Sequence, residues 1–186
     1  MDFILEAGRT GVFHPAIVPP APSRLVLVMG VAGSGKTTVG RQLAQELGWP
    51  YFEADDLHPA ANKAKMARSE PLNDADRAPW LAAIRTEMDA CRARGQSAVF
   101  TCSALKAAYR HTLLDGAPPV DLVHLHGDYA TILQRVGRRQ EHFMPAELVR
   151  SQFETLEHPA AGALSLDTGN QSPTDLVAAI RRHYAL

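Results

Sequence analysis

The feature that most constrains this chain is a glycine-rich segment of eight residues between a strand pattern and a helix pattern. The continuous apolar run 25–29 predicts a strand that is buried on both faces of a parallel sheet. The segment 30–37, GVAGSGKT, fits GxxxxGK[ST], and a helical pattern over 36–47 follows it. The order of strand, turn and helix therefore predicts a phosphate-binding loop.

The residue types in this loop suit a nucleotide. Its glycines let the backbone turn so that several N–H groups point inward, and the next helix adds the positive end of its dipole. Lys36 can then reach the β- and γ-phosphates, and the Thr37 hydroxyl can ligate Mg²⁺. We assign to ATP binding Gly30, Ala32, Gly33, Ser34, Gly35, Lys36, Thr37 and Thr38, with Thr37 as the metal ligand.

Strand patterns alternate with helical patterns along the rest of the chain. We predict further strands over 49–54, 97–102, 120–126 and 163–167, and helices over 60–68, 74–94, 104–114, 129–139, 145–156 and 175–184. This alternation predicts an α/β fold, a three-layer sandwich with a five-stranded parallel sheet and helices on both faces. Ligands in such sheets bind at the carboxyl ends of the strands.

Composition narrows the classes of function. The formal net charge of −1 argues against nucleic-acid or anionic-membrane partners. No apolar run is long enough to span a bilayer, and the start lacks a signal-peptide pattern. The two cysteines, Cys91 and Cys102, form no CxxC pair, which favours reduced thiols and a cytoplasmic location. Residues 1–23, with four prolines, predict a disordered extension before a domain over 24–186.

Charged residues near the predicted sheet edge leave alternatives open. The second strand ends in the acidic segment 53–56, which suits either metal and proton chemistry or a solvated turn that caps a helix. The arginines at 135, 138 and 139 suit either a loop that closes over ATP or a solvated helix end. Position alone does not decide between these interpretations.

A series of ordered blocks resembles the P-loop gluconokinases, within the wider group of shikimate and nucleoside monophosphate kinases. The blocks are MGVAGSGKT at 29–37, DDLHP at 55–59, NKAKM at 62–66, EPLNDADRAPWL at 70–81, CSALKAAYR at 102–110, HFMP at 142–145 and SQFETLE at 151–157. The resemblance covers residues 25–186. It implies the strand order 2-3-1-4-5, a helical lid, a homodimer, and phosphorylation of gluconate to 6-phosphogluconate with ATP and Mg²⁺.

The resemblance also implies roles for individual residues. Lys36, Asp55 and the lid residue Arg139 match catalytic positions, with Asp55 as the base, and Arg135 and Arg139 match positions that bind ATP. The positions that match the acceptor site are Asp55, His58, Lys65, Arg77, Ser103, Lys106, Arg110 and His142. Gluconate carries a carboxylate, and Lys106 and Arg110 lie four residues apart on a predicted helix, so we expect them to bind it together.

The chain departs from the family pattern at four positions. Glu53-Ala54 stands where Asp-Gly is usual, and Ser69 and Glu141 each replace a glycine. Two other functions stay open: the same chemistry on another acceptor, such as shikimate, another sugar acid or a nucleoside, or a nucleotide-binding regulator without catalysis. The intact Lys36, Thr37 and Asp55 argue against a regulator.

Overall fold

The computed structural model of the protein describes residues 23–68, 70–116, 118–138 and 145–186. Positions 1–22 of the predicted extension, together with Ser69, Arg139, Glu141 and His142, lie outside the described residues. Ser23, predicted to belong to the extension, is buried.

Five parallel strands form one sheet. They are β1 Leu25–Met29, β2 Tyr51–Glu53, β3 Ala98–Cys102, β4 Val120–His126 and β5 Leu164–Asp167. Their order is β2-β3-β1-β4-β5, which confirms the α/β fold and the strand order expected from the resemblance. The central strand β1 is wholly buried, as its continuous apolar sequence requires.

Seven helices connect and cover the strands within the described part of the chain. They are α1 Lys36–Leu47, α2 Ala60–Ala67, α3 Asp74–Ala93, α4 Ala107–Leu114, α5 Tyr129–Gly137, α6 Ala146–Thr155 and α7 Pro173–Tyr184, and a 3-10 turn spans Ala54–Leu57. Helices α1 and α7 pack on one face of the sheet, and α3 and α4 pack on the other. None of the described helices is long and apolar enough to cross a membrane.

The sheet edge carries a third, smaller apolar cluster, which Leu156 links to the cluster of α3 and α4. The buried members of this third cluster are Val31, Leu105, Ile132, Val136 and Val149. It therefore joins α5 and α6 to the loop after β1 and to the loop after β3, both of which follow carboxyl ends of strands.

One helix begins later than its sequence predicts. Helix α4 was expected from residue 104 but starts at Ala107, because Ala104 has a left-handed backbone with φ of 44°. The Arg110 guanidinium donates hydrogen bonds to the carbonyl oxygens of Ala104 (3.0 Å) and Leu105 (2.9 Å). These bonds satisfy carbonyls that the turn leaves outside the helix.

Candidate active site

The loop between β1 and α1 has the geometry of a phosphate-binding loop. Gly33 has φ of 81°, and a Cβ there would lie 2.6 Å from the Val136 Cγ2 atom, so glycine is required. The Lys36 ammonium donates to the Val31 carbonyl at 3.1 Å. The buried Ser34 hydroxyl has no hydrogen-bond partner within the described part of the chain. A buried orphan hydroxyl in a glycine-rich turn at a helix start fits the phosphates of a nucleotide.

Thr37 and Glu53 meet through a network of hydroxyl groups. One Glu53 carboxylate oxygen accepts from the hydroxyls of Thr37 (2.9 Å) and Tyr51 (2.5 Å), and the other accepts from Thr101 (2.7 Å). Burial and the Glu53 carboxylate raise the pKa of Tyr51 to about 12, so its hydroxyl stays a donor. Because the Thr37 hydroxyl donates its hydrogen bond to Glu53, its lone pairs are available to a cation. This donor set fits Mg²⁺, which prefers oxygen ligands.

Asp55 lies in the 3-10 turn that follows β2. The Trp80 indole N–H anchors this turn through a 2.7 Å bond to the Ala54 carbonyl. Desolvation raises the pKa of Asp55, the neighbouring Glu53 and Asp56 carboxylates raise it further, and the Lys36 ammonium opposes them. The Asp55 side chain is still open to solvent, so a ligand can reach it. A carboxylate with a raised proton affinity beside Lys36 can act as a general base.

A basic cluster forms where α3 and α4 begin. The Lys106 ammonium lies 2.8 Å from each Asp74 carboxylate oxygen, and the Tyr109 hydroxyl donates to the same carboxylate. The Arg77 guanidinium lies 4.0 Å from Asp74 and 3.5 Å from the Tyr109 hydroxyl. Hydrogen bonds from Lys106 and Tyr109 lower the pKa of Asp74, which is therefore ionised near neutral pH. We call Asp74, Arg77, Lys106 and Tyr109 the basic cluster.

A capping box fixes the start of α3 and so the place of this cluster. The Asn73 side chain accepts from the Asp76 N–H, and the Asp76 carboxylate accepts from the Asn73 N–H. The predicted acceptor residue Lys65 donates to Asp76 at 2.6 Å, so it joins α2 to the first turn of α3. Ser103 directly follows β3, and its carbonyl accepts from the Gly30 N–H at 3.4 Å.

The structure gives His58 a packing role. His58 is 8% exposed, and its ring stacks on that of Trp80 with centroids 4.3 Å apart. Its Nδ1 atom lies 3.3 Å from the Asn62 amide nitrogen. Burial lowers the pKa of His58 to about 4, so the ring is neutral at physiological pH. Contact between His58 and the acceptor stays a prediction.

The expectation that Lys106 and Arg110 lie on one helix is wrong, while their joint contact with a substrate carboxylate stays a prediction. Lys106 precedes α4 instead of lying on it, and its ammonium pairs with Asp74. The Arg110 side chain is buried and engaged by the carbonyls of its own loop. The sequence pattern does not show that Ala104 adopts a left-handed backbone, which keeps the helix from starting before Ala107.

Arg135 lies on α5, and its guanidinium donates to the hydroxyl of Thr168 at 2.9 Å and to the Thr168 carbonyl. It therefore ties α5 to the turn after β5, and its predicted contact with ATP stays a prediction. Asp74, which pairs with Lys106 and Tyr109, is a candidate site residue that was not predicted from the sequence. Its place beside Asp76 and Arg77 in the block 70–81 was the available signal.

Comparisons with known proteins agree with this geometry. A family model described as an AAA domain matches residues 25–159. A probable gluconokinase of Xenopus tropicalis is 48% identical over 74% of this chain and 80% of its own length. A gluconokinase of Gluconobacter oxydans is 43% identical over 87% of this chain and 91% of its own. A gluconokinase structure from Sinorhizobium meliloti 1021 superposes with a TM-score of 0.77 at 40% identity, covering 88% of this chain and 92% of the other. The chain belongs to the gluconokinase family of P-loop kinases.

Proposed function

We propose that the protein transfers the γ-phosphoryl group of ATP to a hydroxyl of D-gluconate, with Mg²⁺, and releases ADP and 6-phosphogluconate. The observation that carries this proposal is the arrangement at the carboxyl edge of the sheet. Lys36 follows β1 and Asp55 follows β2. In the basic cluster, Lys106 and Tyr109 follow β3, and Asp74 and Arg77 lie in the first turn of α3. The predicted cytoplasmic location and homodimer stay predictions.

The transfer follows from the roles of these side chains. The acceptor hydroxyl gives its proton to the Asp55 carboxylate as its oxygen bonds to the γ-phosphorus, and the bond to the β-phosphate oxygen breaks. The Lys36 ammonium and the loop N–H groups offset the charge on the phosphates. When bound, Mg²⁺ supplies further positive charge to the phosphate oxygens. Thr37 would hold it, with Glu53 behind the Thr37 hydroxyl.

The basic cluster suits an acceptor that carries one carboxylate. Its two cations, Arg77 and Lys106, outnumber the single Asp74 carboxylate and leave one net positive charge. Both cationic side chains remain about one-third exposed, so a ligand can reach them. A partly desolvated, charge-assisted pair with a substrate carboxylate would position the sugar chain toward Asp55.

The test is ADP release by the purified protein with magnesium-ATP and a panel of gluconate, other sugar acids, shikimate and nucleosides, with the product identified by phosphorus NMR. We expect strong, selective turnover of gluconate and a product phosphorylated at carbon 6. Selective turnover of another acceptor would overturn the gluconate assignment while leaving kinase chemistry intact. ATP binding with no acceptor-dependent turnover would favour the regulator.

A further inference from the structure

We propose that helix α6 sets the position of the phosphate loop relative to the acceptor loop, residues 103–107, and that Gln152 and Glu157 are the positioning residues that do this. The inference rests on the proposed function, since it concerns the approach of the two substrates. In-line transfer needs reacting atoms held within about 3.5 Å, so a small shift between the two loops has a large effect on rate.

The first contact joins α6 to the phosphate loop. The Ala32 N–H donates to the Gln152 side-chain oxygen at 2.7 Å. Ala32 precedes Gly33, and the Gly33 backbone lies so close to the Val136 side chain of α5 that a Cβ would not fit between them. The phosphate loop is therefore held from the side of α5 and α6 by a polar contact and a steric one.

The second contact joins the end of α6 to the acceptor loop. Glu157 lies two residues beyond Thr155, the last residue of α6, and its carboxylate accepts from the N–H of Ala107 at 2.6 Å. Ala107 is the first residue of α4, so the negative charge also meets the positive end of that helix. The Glu157 N–H in turn donates to the Leu105 carbonyl at 3.0 Å. Lys106, a member of the basic cluster, lies between Leu105 and Ala107, the two residues that Glu157 bonds.

Apolar packing places both loops against the same helix. Val31 of the phosphate loop, Leu105 of the acceptor loop and the buried Val149 of α6 belong to the third apolar cluster. The loops also touch each other through the bond from the Gly30 N–H to the Ser103 carbonyl. A displacement of α6 would therefore move both loops, and the loss of either polar contact would loosen the whole arrangement.

The kinetic test uses Gln152→Ala, Glu157→Ala and the double variant, with Glu154→Ala as the matched control because Glu154 is an exposed glutamate on α6. We expect each single variant to lower kcat for gluconate about tenfold while ADP affinity changes less than about twofold. Glu157→Gln, which keeps an accepting oxygen, should restore most of the rate. The double variant should lose little more than either single one, because both act through one helix.

Two kinetic outcomes would overturn the proposal. A loss of about a hundredfold in the double variant, the product of the single effects, would mean that the two contacts act independently. A several-fold rise in ADP affinity in Gln152→Ala would mean that the Gln152 oxygen stands in for a phosphate oxygen and blocks the nucleotide.

Amide hydrogen exchange tests the same link without any acceptor, so it is informative even if gluconate proves not to be the substrate. Gln152→Ala should speed exchange in the acceptor loop, and Glu157→Ala should speed exchange in the phosphate loop, with Glu154→Ala unchanged. If each variant affects only the loop that its own side chain contacts, α6 does not couple them. Failure of the proposed function would instead appear as absent gluconate turnover in the wild type.

Discussion

The Lys106 ammonium lies 2.8 Å from both carboxylate oxygens of Asp74, although the two residues are 32 positions apart. The pair joins the start of α4 to the start of α3. Together with Arg77 it leaves one net positive charge at the acceptor side of the site.

Replacing Lys106 should weaken gluconate binding more than it slows the chemical step. We expect Lys106→Met to raise the KM for gluconate about tenfold or more, the usual effect of losing a charge-assisted hydrogen bond, with a smaller change in kcat. Steady-state kinetics at saturating ATP measure this. The control is Arg182→Met, which removes an exposed cation from α7, on the face of the sheet opposite to α3 and α4. An unchanged KM in Lys106→Met would place the carboxylate elsewhere.

Replacing Asp55 should strongly slow the chemical step and leave the affinity for the nucleotide nearly unchanged. An amide cannot take the proton of the acceptor hydroxyl, so Asp55→Asn should lower kcat about 10²- to 10⁴-fold. ADP affinity, measured by calorimetry, should stay within about threefold because the phosphate loop is untouched. Asp56→Asn removes the neighbouring exposed carboxylate and should retain most of the activity. Comparable losses in both variants would mean that the acidic turn acts only through its charge.

The raised pKa of Asp55 sets the acid limb of the pH profile. A base works only when deprotonated, so kcat/KM for gluconate should fall as the pH drops through the pKa of Asp55 in the free enzyme. Because desolvation raises that pKa above 3.8, the fall should begin at a higher pH than for an ordinary aspartate. The residual activity of Asp55→Asn should not show this fall at low pH. If the fall persists in the variant, it belongs to the titration of another group.

Glu53 should govern the magnesium requirement through Thr37. Only the oxygen of an amide accepts, so Glu53→Gln cannot accept hydrogen bonds from all three hydroxyls and should loosen the present orientation of Thr37. We expect the Mg²⁺ concentration for half-maximal rate to rise about tenfold, as is typical for residues that orient a metal ligand. Glu46→Gln, near the end of α1 where Glu46 pairs with Arg181 of α7, is the control. Unaltered magnesium dependence would remove Glu53 from this role.

His124 should make the fold sensitive to mild acid. Its burial in β4, near His126, His158 and Arg110, lowers its pKa to about 4, below the 6.5 of an exposed histidine. Between these values the unfolded chain binds more protons, so the free energy of unfolding falls as the pH drops. The loss from about pH 6.5 to 5 is about 2 kcal/mol for one such histidine.

Urea unfolding at these two pH values tests this effect in His124→Gln. The variant should lose less stability on acidification than the wild type, but His58, whose pKa is also about 4, should keep part of the dependence. His111→Gln, at an exposed position on α4, should behave as the wild type. Equal losses in His124→Gln and the wild type would assign the acid sensitivity to other groups.

The sheet and the phosphate loop could be predicted because their signals are local. The apolar run 25–29 and the glycines after it specify β1 and the turn without reference to the rest of the chain. The second strand was predicted to start at Trp49, because aromatic residues are common in strands, but β2 starts at Tyr51. In the structure the Trp49 N–H bonds to the Ala44 carbonyl and completes the end of α1.

The acceptor side could not be predicted in the same way, because its contacts join distant parts of the chain. Lys106 was selected through the resemblance, but its partner Asp74 is fixed by the crossing of α3 and α4. Glu157 is a similar case, since its carboxylate meets Ala107 only after the chain has passed through α4, β4, α5 and α6. A single sequence carries no periodic signal for such pairs.

The bond from Trp80 to the Ala54 carbonyl gives the protein a built-in optical probe. Trp80 is 2% exposed and is anchored one residue before Asp55, so its ultraviolet emission should respond when the acceptor side changes. The second tryptophan, Trp49, packs against the cluster on the opposite face of the sheet. With Trp49 replaced by phenylalanine, the fluorescence of one indole would follow substrate arrival in real time without any attached dye.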